Sequence, residues 1–275
     1  MLNSKRLIFI GTLCSFCIAC GSGNSSTGTA QSLSNEPVTY GLRVTTEEWN
    51  NHPSLPPEVN VQAFKFNESK TPHSLYQSAM QNLSTKKDVC DLSYDEHVEL
   101  GELYSAPFDI GKIEEIGAGE IKTVHADGNT HAEFQDYTTL YGIAGSYGYE
   151  EKHQGGAIFP DDLSLDVTGA EFPATFSELP NLPDINMVQN GILHGGDTIK
   201  WDAFRNANAP LWVYMGTDDG QVTYGTTCIT ADDGEFTIPE TIERVDALTL
   251  IRTYVDVRQI DDVVVLTRRT RRWSL

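Results

Sequence analysis

Basic side chains are scarce in this sequence. Over 275 residues, 19 Lys and Arg stand against 39 Asp and Glu, a formal net charge of −20. Phosphate backbones select for basic stripes, so a nucleic-acid partner is not expected. Long apolar runs are also lacking: the longest, Leu7 to Ala19, has thirteen residues, short of the roughly 20 a spanning helix needs. Cysteine is sparse and unevenly placed. Of five, Cys14, Cys17 and Cys20 crowd into seven residues, and only Cys90 and Cys228 lie beyond them. No Cys-x-x-Cys or Cys/His cluster remains past residue 20, which leaves zinc and redox motifs without support. Nor does a G-x-S-x-G occur there. With so many serines and acids, a triad or a carboxylate pair assembled on paper has no weight. No catalytic residue and no cofactor are therefore assigned.

What is present begins with Lys5 and Arg6, then the apolar run, then small polar residues, the layout of a secretory signal. The run ends Ile18-Ala19-Cys20-Gly21, which resembles the lipobox of bacterial lipoproteins. Ala19 supplies the small residue that the pattern wants before the modified cysteine. Leu13 and Phe16 precede Cys14 and Cys17 and argue against those two; Cys17 departs from the usual Leu three positions before Cys20. The resemblance implies cleavage after residue 19 and acylation of Cys20, with palmitate-type chains as a membrane anchor. It also implies a bacterial cell-envelope location, and Gly21 points to the outer membrane. Several acyl chains hold a protein durably where one holds it only marginally. Loss of residues 1–19 removes two basic residues and no acidic ones. It leaves 17 basic against 39 acidic residues, a net charge of −22.

Residues 20–36, rich in Gly, Ser, Thr and Asn, read as a lipidated start and a flexible linker. Beyond them the periodicity is mostly two, the signature of half-buried strands: EVNVQAFKF (58–66), LSLDV (163–167), DTIKWDA (197–203) and LWVYM (211–215). Two longer runs, ALTLIRTYVDV and DVVVLTRRT, are separated by RQID (258–261), which suits a hairpin loop. Helical spacing is confined to SLYQSAMQNLS (74–84), with Leu75, Ala79 and Leu83 on one face, and to one or two turns in PETIERV (239–245). The expected fold is mainly β, with at most one or two short helices. It divides into an N-terminal mainly-β domain over 37–180 and a C-terminal sandwich over 181–275, split where Pro180 and Pro183 bracket a connector. Trp201 and Trp212 read as core anchors of the second piece, which resembles an immunoglobulin or fibronectin-III-like domain.

Three stretches, FDIGKIEEIGAGE (108–120), LDVTGAEFPATF (165–176) and TCITADDGEFTIPETI (227–242), resemble a loose set of uncharacterised secreted β-sandwich lipoproteins. That resemblance implies a secreted β fold and supplies no activity.

Candidate site residues are few. Cys90 and Cys228 are either a disulfide, which an oxidising compartment permits, or two buried thiols. His125, Asp127 and His131 in HADGNTH are the best metal-like group, weighed against a polar hairpin tip. Tyr137, Tyr141, Tyr147 and Tyr149 would present flat rings to a sugar or peptide, or else sit at strand edges. The terminal Arg268-Arg269-Thr270-Arg271-Arg272 reads as an edge strand guarded by charge, or as a contact for anionic headgroups. The functional expectation is a non-catalytic, lipid-anchored surface interaction or structural module. Its partners would be the membrane and a glycan, protein or divalent cation. The alternatives are a carbohydrate- or cation-binding lipoprotein and, last, a secreted hydrolase.

Overall fold

A computed structural model describes residues 33, 35–50, 58–84, 89–90, 110–136, 146–150, 162–187, 191–204, 210–218 and 223–275. Their elements are β1 (Val38–Trp49), β2 (Glu58–Lys70), α1 (Pro72–Ser84), β3 (Val89–Cys90), β4 (Ile113–Glu115), β5 (Ile121–Val124), β6 (Thr130–Glu133), β7 (Gln135–Asp136) and β8 (Ser146–Glu150). The remaining strands are β9 (Ser164–Val167), β10 (Thr175–Glu178), β11 (Thr198–Lys200), β12 (Leu211–Asp218), β13 (Thr223–Thr230), β14 (Glu235–Thr237), β15 (Ala247–Ile260) and β16 (Val263–Ser274). The protein is mainly β and sandwich-like. Ten strands make one large sheet in the order β3-β13-β12-β15-β16-β1-β2-β8-β7, with β4 also on β2. Two small sheets, β10-β9-β5-β6 and β11-β14, accompany it.

Both faces of the large sheet are used. On one, Leu42, Val44, Val263 and Val265 pack with Ile121 and Leu165 of the four-stranded sheet and with Leu163 and Phe172 beside it. Farther along, Leu248, Leu250 and Trp273 pack with Ile199, Trp201 and Phe236 of the β11-β14 ribbon. The connector at 181–185 therefore falls between two cores, while the sheet behind them runs on unbroken. On the opposite face, Leu75 of α1 covers Phe64, Phe66, Val257, Val264 and Leu266. The helix starts where Pro72 follows Thr71, whose hydroxyl accepts the Ser74 N–H at 3.2 Å, an N-cap with proline at the first helical position.

The long hairpin is tighter than its sequence suggests. Arg258, Gln259 and Ile260 stay in β15, and Ile260 pairs with Val263 across a two-residue turn. Asp261 takes φ +52°, a left-handed conformation that aspartate tolerates better than most residues, so two residues suffice. In 239–245 no helix forms; Ile242 N–H closes a single turn onto Pro239 O at 3.0 Å, and Val245 is drawn into a bridge with Leu193.

The terminal arginine run differs most from its sequence reading. It is no edge: β16 lies inside the sheet, antiparallel to β15 and parallel to β1, with Glu47 opposite Thr270 and Glu48 opposite Arg271. Arg269 and Arg271 are fully buried. Their charge does not guard an edge, because each guanidinium is consumed by an internal carboxylate.

Two of the quoted stretches meet as interlocked turns. Thr168 N–H donates to Glu120 O and Gly169 N–H to Ala118 O, while Phe172 N–H reaches Gly117 O. Gly169 has φ +83°, and a Cβ there would sit 2.8 Å from Ala174 N, so only glycine fits.

Candidate functional site

Alternation along β16 puts Val263, Val265, Thr267, Arg269, Arg271 and Trp273 on one face, and along β1 puts Leu42, Val44, Thr46 and Glu48 on the same face. Between the two cores this face turns ionic. Glu48 accepts from Arg269 Nη2 at 2.7 Å and from Arg271 Nη2 at 3.1 Å. One strand over, Arg252 forms a bidentate pair with Asp232, Nε to Oδ2 at 2.5 Å and Nη2 to Oδ1 at 3.0 Å. Trp201 Nε1–H donates to the same Oδ1 at 2.7 Å.

The arginines' other donors reach the connector. Arg269 Nη1 donates to Pro180 O, Arg252 Nη1 to Pro183 O and Asp184 O, and Arg271 Nη1 to Asp184 Oδ1. A backbone strap is thus fastened across the sheet by three guanidiniums from neighbouring strands. Arginine suits this role because its planar fork can serve a carboxylate and a carbonyl together. Glu48, Asp184 and Arg252 went unnoticed in the sequence, although a signal existed for two of them. Arg252 shares parity with Leu248 and Leu250, and Glu48 with Leu42 and Val44, so each is a charge at a core position.

The opposite face of β2, β1 and β16 carries a half-open polar cleft of about 290 Å³. Its walls are two cross-strand rows, Asn60–Thr45–Arg268 and Glu58–Glu47–Thr270. Glu47 and Glu58 are directly opposite, an arrangement that costs a sheet stability. Arg272 offsets part of that cost by pairing with Glu47 at 2.7 Å, and its guanidinium also lies 5.4 Å from the centre of the Trp49 ring. Beside the cleft, Arg43 donates to Gln62, which donates to Glu115. Burial lowers the pKa of Arg43, and the Glu115 charge works against that shift. The cleft presents hydroxyl, amide, carboxylate and guanidinium groups, a set suited to hydrogen-bonding a polar ligand.

No protein family, curated protein or solved structure matches the chain. Its own residues carry the argument.

The sequence candidates are placed as follows. Cys90 and Cys228 are bonded, S–S 2.05 Å, as registered partners of β3 and β13. Tyr147 turns inward: it is 2 % exposed, and its hydroxyl accepts the Ala118 N–H at 2.6 Å, so it presents no flat ring to a ligand. Tyr149 lies on β8 opposite Val59. Tyr137 and Tyr141, like Cys20 and the nineteen residues before it, lie outside the described residues. The β5–β6 hairpin brings His125 and His131 together, ring centres 5.1 Å apart. Asp127 is directed elsewhere, accepting from Asn129 N–H at 3.0 Å and Asn129 Nδ2 at 2.7 Å; these bonds hold its carboxyl below the usual aspartate range. Asp162 joins instead, 3.3 Å from His125 Nδ1, and that bond lowers its pKa. Among the described residues no group of three or more His, Cys, Asp and Glu is placed to hold a metal ion, and no helix is long and apolar enough to cross a membrane.

Proposed function

We propose that this protein is a non-catalytic, lipid-anchored module of the bacterial envelope, a rigid acidic β body held outside the cytoplasm through Cys20. The observation that carries this reading is the run from Lys5 to Cys20, an apolar segment too short to span that ends in a lipobox-like Ile-Ala-Cys, followed by a tether of small polar residues. The geometry of the body supports it. The tether enters at Val38, beside the Asp261–Asp262 turn, where Tyr40 N–H donates to Asp262 O. The chain thus joins one end of a strand pair of twelve residues, roughly 40 Å long at about 3.3 Å per residue. The immunoglobulin-like C-terminal half, with its second core and ribbon, packs toward the other end of that strand pair, where Trp273 lies. Buried charges committed to fastening the strap suit a stiff carrier.

A Cys20→Ser variant tests this. The parent is expected to partition into the detergent phase in phase-separation extraction, and the variant into the aqueous phase. Detergent partition by both would overturn the anchor.

The cleft supports a second reading, carbohydrate binding, because its two rows of hydroxyl, amide and charged groups suit hydrogen bonding to sugar hydroxyls. Neutral and amino oligosaccharides should then raise the melting temperature, an effect lost in Asn60→Ala. At 100 times the dissociation constant a ligand adds about 2.7 kcal/mol. A flat response across such a panel rejects this reading.

A further inference from the structure

The two rows of the cleft on β2, β1 and β16 differ in charge. Glu58 and Glu47 stand directly opposite each other in one row, and Asn60, Thr45 and Arg268 form the next. We propose that this cleft binds an oligosaccharide bearing free amines, with an ammonium group seated between Glu47 and Glu58. The proposal deepens the carbohydrate reading of the cleft and rests on it.

Three observations carry it. The first is a contrast between the two faces of β1. On the buried face, Glu48 is matched by Arg269 at 2.7 Å and by Arg271 at 3.1 Å. On the cleft face, Arg272 reaches Glu47 at 2.7 Å, but among the described residues no ion pair or hydrogen bond engages the Glu58 side chain. A carboxylate opposite a like charge weakens a sheet, so Glu58 does not owe its place to stability. Residues that break such a rule without compensation are expected at functional sites. The second observation is the pair beside it. The Thr45 and Asn60 side chains also lack a hydrogen bond among the described residues, and both line the cleft. The third is Arg268, which puts a positive charge on their row. A cation is drawn to the carboxylate row and turned away from the other, which sets the direction of the ligand.

These features select an amine over an amide. An ammonium offers three N–H donors and no acceptor, and bonds from it to carboxylates are charge-assisted. An N-acetyl group offers one N–H and brings a carbonyl oxygen toward acceptors that repel it. The rows are two residues apart, about 6.6–6.8 Å along the strands, a distance that one pyranose ring with its substituents spans. Its hydroxyls would then meet Thr45 and Asn60, which both donate and accept.

Calorimetric titration with a glucosamine tetrasaccharide and with its fully N-acetylated counterpart tests this, because the two share ring and linkage and differ at nitrogen. The parent should bind the amine form about tenfold more tightly, the worth of a charged hydrogen bond. Glu58→Gln should bring the two affinities within about threefold of each other. It should also melt no lower than the parent, since it removes a like-charge contact. Glu171→Gln removes the same charge from an exposed position beside Phe172, on the sheet's other face, and should keep the tenfold preference. Equal binding of both sugars by the parent overturns the proposal and leaves the carbohydrate reading standing. A preference that survives Glu58→Gln, or that Glu171→Gln also erases, overturns it in the same way. Binding of neither sugar rejects both.

Discussion

A Glu48→Ala variant should unfold with about 3–5 kcal/mol less free energy than the parent, the cost of stranding buried charge. Glu48 pairs at 2.7 Å with Arg269, whose side chain is fully buried, and it also serves Arg271 at 3.1 Å. Its removal leaves guanidiniums facing a methyl group where water does not reach. Urea unfolding reads the effect as a lowered midpoint with an unchanged slope. Replacing Glu48, Arg269 and Arg271 together by apolar residues of similar volume should cost far less, because pairs traded for packing are often neutral. The contrast separates charge desolvation from lost contact. A Glu48→Ala loss under about 1 kcal/mol, the value of an exposed pair, would show that the clasp is wet and weak. The clasp also bears on register. A one-residue slip of β16 against β1 would turn Arg269 and Arg271 to the opposite face, away from Glu48, so the ionic row reinforces a parallel pairing that apolar rows alone specify less sharply.

Joint replacement of Cys90 and Cys228 by Val should lower stability by on the order of 5 kcal/mol. The bond closes a sequence separation of 138, and the chain-entropy account assigns such a loop a cost near the top of the usual range of about 2–5 kcal/mol. Local structure adds to the effect. β3 is a two-residue strand at the end of the sheet order, paired to β13 through Cys228–Cys90 and Ile229–Val89. Two residue pairs are a short ladder, and the covalent bond is what makes it durable. Melting curves with and without reductant check this. Coincident curves for the oxidised, reduced and Val/Val forms would show that the loop is held by packing alone.

Much of the fold was legible because period-two alternation is a local property. The strands over 58–66, 163–167 and 211–215 fall where β-branched and aromatic residues alternate, and α1 falls on the longer of the two stretches with helical spacing. Trp201 and Trp212 are buried as read, Trp201 with its indole N–H on Asp232. Gly234 takes φ +105°, the turn conformation that an Asp-Gly sequence favours. The same stretch has a second use: the carboxylate of Asp232 swings inward to Arg252, a residue 20 positions away. Tyr147 misled for a similar reason. In a run of Tyr and Gly it looks like a display residue, yet its ring is buried and its hydroxyl caps the Ala118 N–H. Neither contact leaves a mark in nearby sequence.

The sequence by itself determined the strand content, the acidity, the placement of Lys5 to Cys20 ahead of a polar tether, and the parity that assigns each side chain to a face. Only the tertiary structure decided which strands are neighbours. Alternation says that Arg269 and Arg271 share a face with Val265 and Trp273; it does not say that Glu48, more than two hundred residues earlier, lies across from them. Parity comes from the geometry of one strand, whereas pairing depends on which distant chain satisfies its hydrogen bonds and charges. A run of arginines that looks like a solvated end therefore lies within the sheet, with Arg269 and Arg271 buried.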